Sequence, residues 1–369
     1  MTMNRKIRVA ITHGDTNGIG YELIFKTFEN PTMLDLCTPI IYGSPKVATY
    51  HRNLLDIPAN FTIVHHADDI KDGRINLVPV FDEEIKVELG VPTEESGNAG
   101  LIAINKALDD YRAGVFDVLV TAPIENSEAF RFSGQSRYIE DHLGLEEKGL
   151  SILVNEQMRI ALATRNLPLK QVAESLTIED LIEKTTIFHT SLKRDFRISN
   201  PRIALLALNP KAGENGLLGS EELEIINPAV NALADQGIQA FGAYPSDEFF
   251  GNGYWNELDG VVAMYYDQAM IPFRALTTDS GVNYLGGLKL VRTSPEGTID
   301  ISLAGRNFAD AAPMRHAIYT AIDIYRHRKT YDEPLKNPLE KLYKERRDDS
   351  EKVRFSVSKQ KDDVPNKAE

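Results

Sequence analysis

The segment of residues 203–222, IALLALNPKAGENGLLGSEE, constrains the fold more than any other part of the chain. It begins with six consecutive apolar residues, a run too short for a globular helix and too unbroken for a strand with one exposed face. Such a run predicts a parallel strand that is buried on both faces. The glycines and the Ser-Glu-Glu sequence that follow favour a tight turn and a helix start. We therefore predict a ligand site beyond the strand's carboxyl end, with Lys211 in its loop.

The composition of the chain narrows the class of protein and of partner. The 369 residues carry a formal net charge of -13, and because no basic stripe offsets it we expect neither a nucleic-acid nor a membrane partner. The single cysteine, Cys37, excludes an intrachain disulfide and fits a reducing compartment. The first residues lack the apolar core of a signal peptide or anchor. These features predict a cytoplasmic protein that acts on small molecules.

An alternation of short apolar strand, polar turn and helix recurs along the chain. Residues 7–11 lead into a glycine-rich turn, GDTNGIG, whose spacing differs from the G-x-G-x-x-G dinucleotide fingerprint. Later strands end in turns that begin at Thr121, Thr164 and Tyr265. The pattern predicts an α/β fold built from parallel βαβ units. Longer helices are predicted over residues 99–113, 177–196 and 313–328.

Five motifs taken together resemble those of the 4-hydroxythreonine-4-phosphate dehydrogenase family of vitamin B6 synthesis. They are GDTNGIGYE from Gly14, TAPI from Thr121, LNPKAGENGLLGSEE from Leu208, AMYYDQ from Ala263 and GVNYLGGLKLVRTS from Gly281. The resemblance implies an isocitrate/isopropylmalate-dehydrogenase-like α/β fold, with two lobes around a central cleft. The lobes would be interleaved over residues 1–335, and a charged, mobile tail would follow over residues 336–369.

The resemblance also implies an activity and an assembly. Members of the family use NAD to oxidise a phosphorylated hydroxy amino acid, which then loses carbon dioxide. A divalent metal grips the hydroxyl and carboxylate oxygens of the substrate and acts as a Lewis acid. Both subunits of a homodimer complete the active site. We therefore expect NAD as cofactor, a small phosphorylated substrate or ligand, and a homodimer with a shared active site.

The three histidines that hold the metal in the family are replaced in this chain. By register with the motifs T-T-H, N-P-H-A-G and Y-H-D-Q, their positions carry Asn166, Lys211 and Tyr266. An amide oxygen, a protonated amine and a neutral phenol are poor ligands for a zinc-type metal. We therefore expect no divalent metal, and these residues do not support the metal-dependent dehydrogenase activity of the family. We hypothesise that the ammonium of Lys211 takes the vacated cation position and neutralises Asp267; the alternative is a surface lysine without a role.

The remaining candidate residues come from the same register. Besides Lys211, the candidates for catalysis are Asp247 and Asp267, which would transfer protons or position substrate; alternatively they cap loops or pair with Lys211. The substrate-binding candidates are Gln135, Ser136, Arg274, Asn283 and Arg292.

The turn after TAPI and the cofactor-side motif both differ from the family. Glu125 and Asn126 replace an Asn-Lys pair, so that an anion stands near the place of a cation. The cofactor-binding candidates are Gly297 and Thr298, in a motif one residue shorter than that of the family and without its histidine.

Three functions remain open on the sequence. The first is an NAD-dependent oxidoreductase that acts on a small phosphorylated hydroxy acid without a metal or with an unusual one, for which Lys211 and Arg165 are the candidate replacement cations. The second is a non-catalytic relative that binds a phosphorylated metabolite or a partner protein. The third is a different metal-free reaction on a related phosphorylated substrate. Metal content and NAD binding of the purified protein would discriminate the first from the others.

Overall fold

A computed structural model of the chain describes residues 5–81, 84–128, 130–144, 148–276, 281–296 and 300–337. Its contacts define two units, Met1–Lys329 and Thr330–Glu369, and the first contains the whole sheet. In the second unit, the described residues are the end of a helix and a short 3-10 turn, Pro334–Lys336. The predicted tail lies almost entirely outside the described residues, and the two lobes over residues 1–335 stay a prediction.

The apolar runs of the sequence form the strands of one twelve-stranded sheet. The strands are β1 (Ile7–Thr12), β2 (Cys37–Gly43), β3 (Phe61–Ile63), β4 (Ile75–Pro79), β5 (Val118–Thr121), β6 (Leu150–Val154), β7 (Arg159–Leu162), β8 (Arg202–Leu206), β9 (Gln239–Tyr244), β10 (Gly260–Ala263), β11 (Val282–Gly286) and β12 (Val291–Pro295). Their order across the sheet is β3-β4-β2-β1-β5-β12-β11-β6-β7-β10-β8-β9. The apolar run from Ile203 supplies most of β8, which is parallel to β10 and β9 as predicted and buried from Ile203 onwards.

The sheet combines two parallel blocks that run in opposite directions. The strands from β3 to β12 in the sheet order are mutually parallel, and so are those from β7 to β9. Between the blocks, β11 is antiparallel to β12 and β6, and β6 is antiparallel to β7. Three reversals separate the blocks, so the carboxyl ends of β8 and β10 lie at the opposite sheet edge from those of β1 and β5. The α/β class is confirmed, and the antiparallel centre is a feature that the βαβ pattern did not predict.

Helices cover both faces of the sheet. They are α1 (Gly20–Phe28), α2 (Thr32–Leu36), α3 (Pro45–Leu55), α4 (Glu94–Arg112), α5 (Gln135–Leu143), α6 (Leu169–Ser175), α7 (Ile178–Arg194), α8 (Asn227–Asp235), α9 (Ser246–Gly251), α10 (Tyr266–Leu276) and α11 (Ala312–Asp332). In β1, Val9 and Ile11 belong to the same buried cluster as Phe25 of α1, whereas Ala10 belongs to that of Ile104 of α4. Alternate side chains of a strand therefore pack on opposite helical layers, as its period of two requires.

The three long predicted helices are confirmed as α4, α7 and α11, and local capping explains where two of them begin. Helix α4 begins five residues before the predicted start because Thr93 and Ser96 form a reciprocal capping box. Helix α7 follows Thr177, whose hydroxyl accepts a hydrogen bond from the backbone N–H of Asp180 at 3.1 Å. Before α8 the chain forms a π-helical turn, Glu222–Ile226, next to Pro228, which lacks a backbone donor.

A buried polar network joins the end of α7 to β11 and α11. Asp195, the C-cap of α7, accepts a hydrogen bond from Arg328 Nε at 2.6 Å, and Arg328 Nη2 donates to the hydroxyl of Tyr284 at 2.7 Å. Arg328 Nη1 donates to the carbonyls of Leu288 and Lys289 at 2.8 and 2.9 Å. The side chains of Arg328 and Asp195 are only 7% and 1% exposed, so this ion pair is shielded from water.

Candidate ligand-binding site

A cavity of about 1160 Å³ lies over the antiparallel centre of the sheet. Residues directly opposite each other in an antiparallel pair point to the same face. Leu285 of β11 stands opposite both Arg292 of β12 and Ser151 of β6, and Asn283 stands opposite Ser294. The polar members of this set line the cavity, which makes one face of the central strands its floor. The turns after β5 and β7 and the first turn of α5 form its walls.

Arg292 is the central charged group of the floor. The residue is 2% exposed, and Nη2 donates to Thr121 Oγ1 at 2.5 Å and to Gln135 Oε1 at 2.9 Å, while Nη1 donates to Ser136 Oγ at 3.1 Å. Its Nε is buried and has no hydrogen-bond partner among the described residues. Burial lowers the pKa of Arg292 to about 9. Three of the five predicted substrate-binding residues, Gln135, Ser136 and Arg292, are thus brought into direct contact.

Asn283, the fourth predicted substrate-binding residue, lines the same cavity, and its buried Oδ1 has no partner within the described part of the chain. The fifth, Arg274 on α10, does not line the cavity. It forms an ion pair with the cavity residue Glu296 at 2.9 Å, and its side chain is 52% exposed. The two cofactor-binding candidates, Gly297 and Thr298, lie outside the described residues.

Arg165 and Asn166, in the turn after β7, line this cavity and a smaller one of about 320 Å³ that adjoins it. Arg165 Nη2 donates to Glu140 Oε2 at 2.8 Å and to the carbonyl of Gly149 at 2.5 Å, whereas Nη1 is buried without a partner in the described chain. The amide of Asn166 donates to the carbonyl of Ser133 at 3.5 Å, a long contact. A fixed guanidinium therefore stands beside the first of the three former metal positions.

The loop after β8, which carries Lys211, lines neither cavity. Lys211 is exposed and has φ 52°, and four of the five residues from 211 to 215 are non-glycine residues in the left-handed region. The predicted ion pair between Lys211 and Asp267 is not formed: Lys211 contacts no carboxylate of the described chain within ion-pair distance. The physical reason is that this loop is folded back on the start of the next helix, where Glu222 accepts hydrogen bonds from the backbone N–H groups of Leu208 and Asn209. A catalytic role for Lys211 stays a prediction.

The two predicted catalytic acids are exposed and lie outside the larger cavity. Asp247 is in the first turn of α9, and Asp267 is in the first turn of α10, where it lines the smaller cavity together with Tyr266. Burial and the carboxylate of Glu296 raise the pKa of Tyr266, which keeps its phenol neutral. Tyr266 therefore remains a poor metal ligand at neutral pH. Proton transfer by Asp247 or Asp267 stays a prediction.

The side chains at the former metal positions do not fit a divalent metal. Asn166 and Tyr266 line the same two cavities, but Lys211 lies in a loop that lines neither. Within the described residues, no group of three or more His, Cys, Asp or Glu side chains has the arrangement of a metal site. The available donors are thus an amide oxygen and a neutral phenol, which bind zinc-type metals weakly.

Several cavity residues were not predicted from the sequence as site residues. Thr121 ends β5 and was noted as the start of a turn and of the TAPI motif but not as a site residue, although its hydroxyl accepts a hydrogen bond from Arg292. Lys184 lines the cavity and pairs with Asp180 at 2.6 Å. Their i, i+4 spacing on a helix was visible in the sequence, but nothing in it indicated that the pair faces a cavity. No sequence pattern indicated that Glu140, the partner of Arg165, belongs to the site.

Comparison with known proteins agrees with the fold and with these motifs. The family model described as pyridoxal phosphate biosynthetic protein PdxA matches residues 35–321. A 4-hydroxythreonine-4-phosphate dehydrogenase of Bacteroides thetaiotaomicron is 49% identical over 95% of this chain and 98% of its own length. One from a Sulfurihydrogenibium species is 32% identical over 88% of this chain and 100% of its own length. The crystal structure of the Klebsiella pneumoniae 4-hydroxythreonine-4-phosphate dehydrogenase, 28% identical, superposes with a TM-score of 0.74 over 88% of this chain and 99% of that chain. This chain therefore belongs to the PdxA family of pyridoxal phosphate biosynthetic proteins.

Proposed function

We propose that this protein binds a small phosphorylated hydroxy amino acid, of the kind named in its relatives, in the cavity over the central strands. Arg292 carries the proposal, because its guanidinium is buried in the cavity floor with one donor unpaired within the described chain. A buried guanidinium is well suited to phosphate or carboxylate oxygens, which accept charge-assisted hydrogen bonds. Gln135 and Ser136 stand beside it in the first turn of α5, where the helix N-terminus also favours an anion.

The side chains at the three former metal positions favour binding of the ligand without a divalent metal. The side chains at the three former metal positions do not supply a Lewis acid, so the chemistry that the family's metal performs has no support from these residues. Asn283 and Arg292, which the family register predicts to bind substrate, both line the cavity floor. We therefore propose that ligand binding is kept and that metal-dependent turnover is lost.

A second candidate function is NAD-dependent oxidation of the same ligand without a metal. Arg165 favours it, because its guanidinium lines both cavities next to Asn166 and is held by Glu140. A fixed positive charge in a partly dehydrated site can stabilise negative charge that develops on a substrate oxygen. The sequence had suggested this role for Lys211 as well as for Arg165.

We further propose that the protein acts as a cytoplasmic homodimer whose subunits share the site. Large apolar side chains support a subunit interface: Leu217 is 78% exposed, Leu169 71% and Ile271 66%. No helix in the described part of the chain has the length and apolar character needed to cross a membrane. Light scattering coupled to size-exclusion chromatography tests the assembly, and a monomeric mass at micromolar concentration would contradict it.

The decisive experiment measures binding and turnover separately. We expect 4-phosphohydroxy-L-threonine to bind in calorimetry and to raise the melting temperature in the presence of a chelator. NADH formation is then followed with the chelator and with zinc, magnesium or manganese, for the wild type, Arg165→Gln and Lys211→Ala. Turnover without metal that is lost in Arg165→Gln but kept in Lys211→Ala would establish the second candidate. No binding in the presence of the chelator refutes the proposal of metal-free binding, and turnover that requires a metal refutes the proposed loss of metal-dependent turnover.

A further inference from the structure

Glu125 differs from the other acids in the described lining of the cavity because it has no basic partner. The paired acids are Glu140 with Arg165 at 2.8 Å, Asp180 with Lys184 at 2.6 Å, Glu296 with Arg274 at 2.9 Å and Asp141 with Arg137 at 3.9 Å. Glu125 forms no ion pair or hydrogen bond with any described residue. A carboxylate in the cavity wall is therefore left with its charge uncompensated.

The surroundings of Glu125 increase this negative charge. Glu125 is half-buried in the turn after β5, and the carboxylates of Asp15 and Asp300 repel its negative charge. Asp15 is only 2% exposed; its Oδ1 accepts a hydrogen bond from the backbone N–H of Asn17 at 2.8 Å, and its Oδ2 is buried without a described partner. Burial and the two acids raise the pKa of Glu125. A bound cation would relieve this repulsion.

The same cavity also presents unpaired positive groups. Arg292 Nε and Arg165 Nη1 are both buried donors without a partner in the described chain, and each belongs to a residue that lines the cavity. The lining of one cavity thus carries unpaired positive groups as well as the unpaired carboxylate of Glu125. A complementary ligand must therefore carry an anionic group and a cationic group at once.

We propose that Glu125 binds the ammonium group of a phosphorylated amino acid whose anionic group is held at Arg292, and that it selects this ligand over analogues without an amino group. The inference rests on the proposed function and names the part of the ligand that the function leaves open. An ammonium offers three donors and a full positive charge, which suits a carboxylate with free lone pairs. Because Glu125 is half-buried, this pair is less screened than one at the surface.

The test compares two ligands that differ only in the amino group. Calorimetric titration of the full chain uses 4-phosphohydroxy-L-threonine and 3-hydroxy-4-phosphooxybutanoate, with the wild type, Glu125→Gln and Glu128→Gln. Glu128 is an exposed acid three residues further on that does not line the cavity, so its variant removes the same charge as a matched control. We expect the wild type and Glu128→Gln to prefer the amino ligand by roughly tenfold or more, and Glu125→Gln to lose that preference through weaker binding of the amino ligand alone.

Each contrary outcome has a distinct meaning. A wild type that binds both ligands equally refutes the role of Glu125 and leaves the proposed function standing. Glu125→Gln that weakens both ligands by the same factor also refutes it, because the side chain then acts on the cavity as a whole. A wild type that binds neither ligand refutes the proposed function and the inference together. Melting temperatures of the unliganded variants establish that each one is folded.

Discussion

Replacing Arg328 by methionine is expected to lower the free energy of unfolding by about 3–5 kcal/mol. The substitution keeps an unbranched apolar stem of similar reach and removes the guanidinium from its network with Asp195 and Tyr284. Asp195 is 1% exposed and would then keep a single side-chain donor, the hydroxyl of Tyr284 at 2.5 Å. A buried carboxylate that has lost its cation is far more costly than an exposed one.

The size of the effect follows from the groups that Arg328 leaves behind. The carbonyls of Leu288 and Lys289 each lose a donor. The hydrogen bond to Leu288 is buried, so its unsatisfied acceptor costs about 1–3 kcal/mol, whereas the one to Lys289 is only partly buried and contributes less. The buried carboxylate of Asp195, left without its cation, adds to this cost. Adding Asp195→Asn to Arg328→Met should therefore recover part of the loss, since removing both charges is less destabilising than removing one.

Urea denaturation followed by circular dichroism measures these differences. Arg326→Gln is the matched control on the same helix, because Arg326 and Asp323 are 53% and 61% exposed and 3.8 Å apart. Its expected effect is within about 0.5 kcal/mol. An Arg328→Met variant that loses less than about 1 kcal/mol, or no more than Arg326→Gln, would show that the network does not contribute as its geometry indicates.

Three further predictions concern the cavity, the loop after β8 and the response to pH. Arg292→Lys keeps the charge but loses the planar guanidinium group with its paired N–H donors. Calorimetry should therefore show about tenfold to hundredfold weaker binding of 4-phosphohydroxy-L-threonine, and unchanged affinity would contradict the role of Arg292. Glu222→Gln should lower stability to urea by about 1–3 kcal/mol, because the amide keeps only one acceptor for the backbone N–H groups of Leu208 and Asn209 and sets an NH2 group against Asn209 Nδ2, which donates to Oε2 at 3.0 Å in the wild type. An effect near zero would show that the loop does not depend on this carboxylate. Burial lowers the pKa of His13 to about 3, so the unfolded chain takes up a proton at a higher pH than the folded chain does. The contribution of a neutral His13 to the free energy of unfolding is complete above about pH 6.5 and should fall by about 2 kcal/mol by pH 5. His13→Phe should reduce this loss in urea titrations.

Elements whose signal is local were predicted from the sequence. The apolar run from Ile203 and the pair of Thr177 with Asp180 specify a buried strand and a helix start without reference to the rest of the chain. The direction of a strand depends instead on which strands it joins. The sequence around β6 and β11 therefore contained no sign that the centre of the sheet is antiparallel.

The candidate site was predictable to the extent that a motif carried it. Arg292, Gln135 and Ser136 were identified by register with a family, and the structure brings them together. Lys211 was placed in a site by its loop at the carboxyl end of a buried strand and by register with the family, whereas that loop folds back on Glu222, which accepts the backbone N–H groups of Leu208 and Asn209. Glu125 was visible as a substituted position, but its lack of a partner depends on side chains from distant parts of the chain and could not be seen in the sequence.

The position of β12 in the sheet also has a consequence for how the chain acquires its fold. β11 and β12 form a hairpin that fills the space between β5 and β6, and β5 is made long before its neighbour, since Val118 pairs with Val291. Until the hairpin has been synthesised, one edge of β5 and one edge of β6 lack a neighbouring strand and can pair with other chains. Asn283 and Arg292 are part of the same hairpin. The same hairpin therefore covers the two open edges and completes the floor of the cavity.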